Sequence, residues 1–168
     1  MRWRTNTTFE CQVLDWHSRK HSRVVRSTYA AELLSLLDAV NQGGVLNLCF
    51  EEVVNGAMSP ADLLNRRERG LYSIPMDAET DARSVFQSIT APEGARTPDD
   101  KHLHLHALAM RLFLKDGMVD QLHWNDAVGM LPDGLTKGKC DREPLMVCCK
   151  RGDRRLTGNP PEYKGFGD

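Results

Sequence analysis

The chain has 168 residues, of which 40% are hydrophobic and 27% charged, so it is long enough to bury the core of one domain. Its 22 basic and 23 acidic side chains give a net charge of -1, which excludes a global attraction to nucleic acid and leaves only local patches for such binding. No apolar run of about 18 residues predicts a membrane span, and the first residues lack the apolar stretch of a signal peptide. The cysteines are odd in number and scattered, which predicts reduced thiols in an intracellular protein, in cytoplasm or nucleus alike: Cys11, Cys49, Cys140, Cys148 and Cys149.

The first third of the chain predicts one strand and one long apolar helix. Residues 9–17 favour a strand, and a basic stretch follows over 18–26. Apolar residues recur at helical spacing over 30–40, behind a serine and a threonine that are suited to capping a helix. The pair Gly43-Gly44 either ends this helix or kinks a longer one, because the apolar stripe resumes over 45–53.

The rest of the chain predicts four helices and two strands. The helices are predicted over 59–68, 82–89, 101–115 and 132–137, and the strands over 72–78 and 118–124. Capping residues and glycine stops mark the first and third of these helices. The order predicts a mixed α/β fold with helices packed on a small sheet. The chain past Gly138 is polar, so residues 1–138 are expected to form the domain and 139–168 a loosely held tail.

Three carboxylates occur in separate local contexts. Glu32 lies on the apolar helix, Asp81 follows a predicted strand, and Asp133 opens the last helix of the predicted domain. Each one alone is explained by complementing a helix dipole or capping a helix. If folding brings them together, they form a site of hard oxygen ligands for divalent metal ions.

Four stretches of the chain carry a resemblance to a known family. They are Asp15-Trp-His-Ser-Arg-Lys-His21, Val25-Arg-Ser-Thr-Tyr-Ala-Ala-Glu32, Thr80-Asp-Ala-Arg-Ser-Val85, and Lys101-His-Leu-His-Leu-His106 followed by Trp124 and Leu131-Pro-Asp-Gly-Leu-Thr-Lys137. In order and approximate spacing they resemble the motifs of the ribonuclease H domain that ends copia-type retrotransposon Pol polyproteins. The segment around Glu32 differs from the family's motif by one residue in spacing.

The resemblance implies a ribonuclease H-like mixed sheet flanked by helices, and hydrolysis of RNA in RNA–DNA hybrids. Two magnesium ions would be the cofactors, with manganese expected to substitute, because such ions activate water and stabilise the leaving oxygen. By motif match, the metal ligands and catalytic groups would be Glu32, Asp81 and Asp133. The resemblance also suggests His123 as a group that assists proton transfer, while a half-buried strand histidine is the plainer interpretation.

The family's first catalytic aspartate, in a segment like Asp-Ala-Asp-Trp on the first strand, has no counterpart here. Only 14 residues precede Asp15, and none of them match that segment. The chain is therefore expected to be truncated at its N-terminus, to lack the first strands of the sheet, and to be a weak catalyst. Two alternatives stay open: an inactive relic that binds nucleic acid or packs on the reverse transcriptase of the same polyprotein, and a non-enzymatic α/β interaction domain.

Basic residues supply candidate contacts to the phosphates of a hybrid, an interaction that salt would weaken. They are Arg19, Lys20, Arg23, Arg26, Lys101 and His102. A solvated loop is the plainer interpretation of the first four. Zinc binding by His102, His104 and His106 is disfavoured, because His104 does not share a helix face with the other two.

Overall fold

The computed structural model describes residues 8–10, 13–17, 25, 27–92, 101–125, 131–136 and 138–155. They form a mixed α/β arrangement of two compact units. One unit holds the described residues from Val25 to His123, and the other holds those before and after. The elements in chain order are β1 (Thr8–Glu10), α1 (Thr28–Asn55), α2 (Pro60–Glu68), β2 (Asp77–Thr80), α3 (Arg83–Thr90), α4 (Lys101–Lys115), β3 (Gln121–Trp124), α5 (Asp133–Thr136), α6 (Glu143–Arg151) and β4 (Asp153–Arg155).

The helix α1 is continuous through Gly43 and Gly44, so the alternative of a helix that ends there is wrong. It begins where the Ser27 hydroxyl accepts a hydrogen bond from the Ala30 amide at 3.1 Å. A Cβ at Gly43 would lie 2.9 Å from the sulfur of Met76, and one at Gly44 would lie 3.1 Å from the Met118 methyl group. The two glycines therefore let methionine side chains pack directly against the helix backbone.

The core of the unit from Val25 to His123 lies where α1 packs against α3, α4 and β2. Leucines on one face of the first half of α1 enter this core, and apolar side chains from the other elements meet them. Its fully buried apolar side chains are Leu33, Val85, Ile89, Met110, Val119 and Leu122. The predicted bounds of α2, α3 and α4 are confirmed to within about one residue.

The strands β2 and β3 form a two-stranded parallel pair, so the expectation of helices on a small sheet is confirmed in that coarse form. Both strands begin later than predicted, because residues 72–76 and 118–120 are not in the ladder. The Asp120 amide donates to the Met76 carbonyl at 2.7 Å just before the two strands begin. The segment 72–76 is held instead by side chains of α1, described below.

In the second unit, residues 143–155 of the expected polar tail form a helix and a short strand. The helix α6 buries Leu145 and Cys148, and it ends at Gly152, whose φ of 70° is left-handed. It packs on β4, which pairs antiparallel with β1. The proposed boundary between a domain and a tail near Gly138 stays a prediction.

Among the described helices, α1 alone is long and apolar enough to cross a membrane by length and composition. The core helix of a soluble protein passes the same test, and α1 contributes leucines to the core of its unit. The property therefore assigns no membrane to this helix by itself.

Candidate functional site

Asp81 lies directly after the last residue of β2, at the carboxyl end of the parallel pair. Its side chain is half-buried. The preceding Thr80 is buried, and its hydroxyl accepts a hydrogen bond from the Ala82 amide at 3.2 Å. The N-cap position of α3 is Ala82, so Asp81 stands one residue outside it.

Glu32 lies on the second turn of α1, and its side chain is exposed. The helix α1 packs on β2 and on α3, the two elements that flank Asp81. One unit thus contributes two of the three predicted carboxylates, from a helix and from a strand end.

Asp133 belongs to the other unit, where it is the first residue of the four-residue helix α5. Its side chain is half-buried, and its carbonyl accepts a hydrogen bond from the Cys140 thiol at 3.0 Å. Within the part of the chain that the structure describes, no group of three or more His, Cys, Asp or Glu side chains is arranged to hold a metal ion.

His123 lies on β3, and its Nε2 atom is 3.5 Å from Oδ2 of Asp77. Both side chains are largely buried, with 13% and 24% of their surface exposed. Asp77 opens β2 whereas Asp81 follows its end, so the contact lies at the end of the strand remote from Asp81. This contact agrees with a half-buried strand histidine, and assistance in proton transfer stays a prediction.

The candidate phosphate contacts are only partly described. Lys101 and His102 are exposed at the start of α4. The other four predicted contacts lie outside the described residues: Arg19, Lys20, Arg23 and Arg26.

Sequence reasoning missed a buried polar cluster on the second half of α1. The Glu51 carboxylate is fully buried and lies 2.7 Å from the Arg66 guanidinium. It also accepts hydrogen bonds from the Ser73 amide, from the Ser73 hydroxyl at 3.1 Å and from Asn55 Nδ2 at 3.0 Å. One turn earlier, Asn47 donates to the Ile74 carbonyl at 2.9 Å. This cluster ties α2 and the approach to β2 onto α1.

A signal for that cluster is present in the sequence. Asn47 and Glu51 continue the three- and four-residue spacing of the buried stripe of α1, whose preceding members are Leu37, Val40 and Gly44. A polar residue on such a stripe must find a hydrogen-bonding partner when it is buried. The spacing therefore indicates burial, although it does not identify the partners.

Tyr72 packs beside the same cluster. Burial raises the pKa of its phenol above the ordinary value, and the nearby Glu51 carboxylate also raises it, while Arg67 acts in the opposite direction. Its hydroxyl oxygen is buried and has no hydrogen-bond partner among the described residues. The phenol therefore stays protonated to higher pH than that of an exposed tyrosine.

Comparison of the chain with protein-family models, with curated proteins and with solved structures finds no match.

Proposed function

We propose that this chain is a ribonuclease H-like domain of retroelement origin that hydrolyses RNA in RNA–DNA hybrids with the help of divalent metal ions. The observation that carries the proposal is the position of Asp81 at the carboxyl end of β2, beside the parallel strand β3. Ligands of α/β proteins commonly bind at that edge of a parallel sheet. The motifs around Glu32, Asp81 and Asp133 support the family assignment.

The donor chemistry of the residues fits magnesium, which prefers hard oxygen ligands. Glu32 and Asp81 come from elements that pack on each other in one unit, and Asp133 is included on its motif alone. Magnesium, when bound, would activate the attacking water and stabilise the leaving oxygen. The protein's own residues would hold the metal through these carboxylates, while Lys101 and His102 would contact the phosphate backbone.

The test is cleavage of an end-labelled RNA–DNA hybrid by the full chain, with magnesium and then with manganese. Asp81→Asn and Glu32→Gln should each reduce cleavage by about a hundredfold or more, because a neutral amide is a poor magnesium ligand. Asp116→Asn is the matched control, since Asp116 is an exposed aspartate that follows α4. Circular dichroism establishes that each variant is folded.

Cleavage that survives both substitutions would refute the assigned ligands. A folded chain that binds the hybrid without cleaving it would refute hydrolysis and support the inactive relic. A folded chain that neither cleaves nor binds would leave the interaction domain as the better description.

A further inference from the structure

The outer face of α4 presents a row of leucines to solvent. Leu105, Leu108 and Leu112 are 62%, 37% and 53% exposed. Their spacing of three and four residues aligns them along the helix. Ala107 and Met110 on the same helix are buried, and α4 packs against α1 and α3. We call the three exposed residues the leucine stripe.

A lysine stands at each end of the leucine stripe. Lys101 lies four residues before Leu105 and Lys115 three residues after Leu112, and both are exposed. With about 3.6 residues per turn, these spacings put both lysines in line with the leucines. No carboxylate occurs between the two lysines, and Asp116 is the first acid after them. The row therefore reads lysine, three leucines, lysine.

We propose that the leucine stripe binds an acidic amphipathic helix of another protein. The partner helix would present three apolar residues at the same spacing and a carboxylate about one turn beyond each end. Burial of the leucines would supply affinity, since apolar anchors at such spacing are the usual contacts of a helix docked on another surface. The two lysine–carboxylate pairs would fix the register and exclude basic partners.

The charges disfavour two other occupants. In a second copy of this chain, a parallel arrangement would place Lys101 against Lys101 and an antiparallel one would place Lys101 against Lys115, so both orientations oppose like charges. An anionic lipid surface is matched by helices whose basic residues lie on the polar face. Here the lysines lie on the apolar row itself, so insertion would press both ammonium groups toward hydrocarbon.

Two designed helical peptides test the proposal against the full chain by fluorescence anisotropy. One peptide carries leucines at the spacing of the stripe with a glutamate beyond each end, and the other has lysines in place of the glutamates. The glutamate peptide should bind about tenfold or more tightly than the lysine peptide, with an affinity that falls as salt rises. The double variant Lys101→Glu with Lys115→Glu should reverse this preference.

The double variant Leu108→Ser with Leu112→Ser should lower the affinity for the glutamate peptide by about tenfold or more. Leu64→Ser is the matched control, because Leu64 is 54% exposed on α2 and lies outside the stripe. Circular dichroism verifies that each variant is folded. Equal affinity for the two peptides, or no reversal in the charge variant, would overturn the proposal.

Two further results would also overturn it. One is binding to phosphatidylserine vesicles without binding to either peptide. The other is a dimer in analytical ultracentrifugation that Leu112→Ser dissociates, because the stripe would then be occupied by a second copy. None of these readouts depends on hydrolysis of a hybrid, so they are independent of the proposed nuclease activity.

Discussion

Replacing Glu51 by alanine should destabilise the fold more than any surface substitution. The carboxylate has no exposed side-chain surface, and it accepts hydrogen bonds from Arg66, Ser73 and Asn55. The variant removes the anion and leaves these donors facing a space that water must fill. It also cuts the connection between α1, α2 and the segment that leads into β2.

The expected cost follows from what surrounds the carboxylate. Breaking a buried ion pair by removing one partner costs about 3–5 kcal/mol. In the folded chain 32% of the Arg66 side chain is exposed, so water can solvate its guanidinium once Glu51 is removed. That access puts the cost near the lower end, at about 3 kcal/mol. In a chain of this size such a loss lowers Tm by roughly 6–12 °C.

The assay is urea unfolding followed by far-ultraviolet circular dichroism, with Glu52→Ala as the matched control. Glu52 is the next residue on α1 and is exposed, so its removal should change the free energy of unfolding by about 0.5 kcal/mol or less. Arg66→Ala should also be costly, because it leaves the buried Glu51 carboxylate without its cation. The double variant should cost less than the sum of the two single ones. If Glu51→Ala costs no more than Glu52→Ala, the buried ion pair contributes nothing and the reasoning fails.

Three other substitutions follow from single contacts, each measured by the same unfolding assay. Tyr72→Phe should leave stability unchanged or raise it by up to about 1 kcal/mol, since the buried hydroxyl has no hydrogen-bond partner among the described residues. Folding raises the pKa of Tyr72, so the folded state favours the protonated phenol over the ionised one. This contribution to stability is complete below about pH 10 and is lost as pH rises through the folded pKa. The phenylalanine variant should lose less stability in alkali. Gly70→Ala should cost about 2–4 kcal/mol, because φ at Gly70 is 59° and a Cβ would overlap the backbone of Gly117. Ser27→Ala should cost about 1 kcal/mol by removing the N-cap of α1.

Matched variants make these three predictions refutable. Gly138→Ala should be nearly neutral, since no atom lies within 4 Å of the added Cβ, so equal costs at Gly70 and Gly138 would contradict the backbone overlap. A stability loss in Tyr72→Phe at neutral pH would show that the hydroxyl has a bonding partner. A change near zero in Ser27→Ala would mean that packing alone holds the start of α1.

Local signals in the sequence were sufficient to predict where α2, α3 and α4 begin and end. Their starts and stops depend on residues within about one helical turn, such as Ser59, whose hydroxyl accepts from the Asp62 amide at 3.2 Å. The strand predicted over 72–78 fails over its first five residues, because Asn47 and Glu51 of α1 bind that segment in place of a neighbouring strand. Such partners are distant in sequence, and the alternation of apolar residues does not reveal them.

The helix α6 was missed for a compositional reason. Its polar surroundings outweighed its own signals, which are a proline near its start and Gly152 after its end. For the candidate site, the local contexts of Glu32 and Asp81 followed from the sequence. The convergence of Glu32 and Asp81 on one metal depends on tertiary contacts between residues distant in sequence, so it stays a prediction.

The long helix α1 buries apolar side chains along its first half and polar side chains along its second half. Its first half inserts leucines into the core, whereas its second half buries Asn47 and Glu51 against α2 and the approach to β2. Amide protons of the first half should therefore exchange with solvent only when the whole unit unfolds. Those of the second half should exchange through a smaller opening that releases α2. We therefore expect the two halves of this 28-residue helix to open with different free energies, with the change near Gly43 and Gly44.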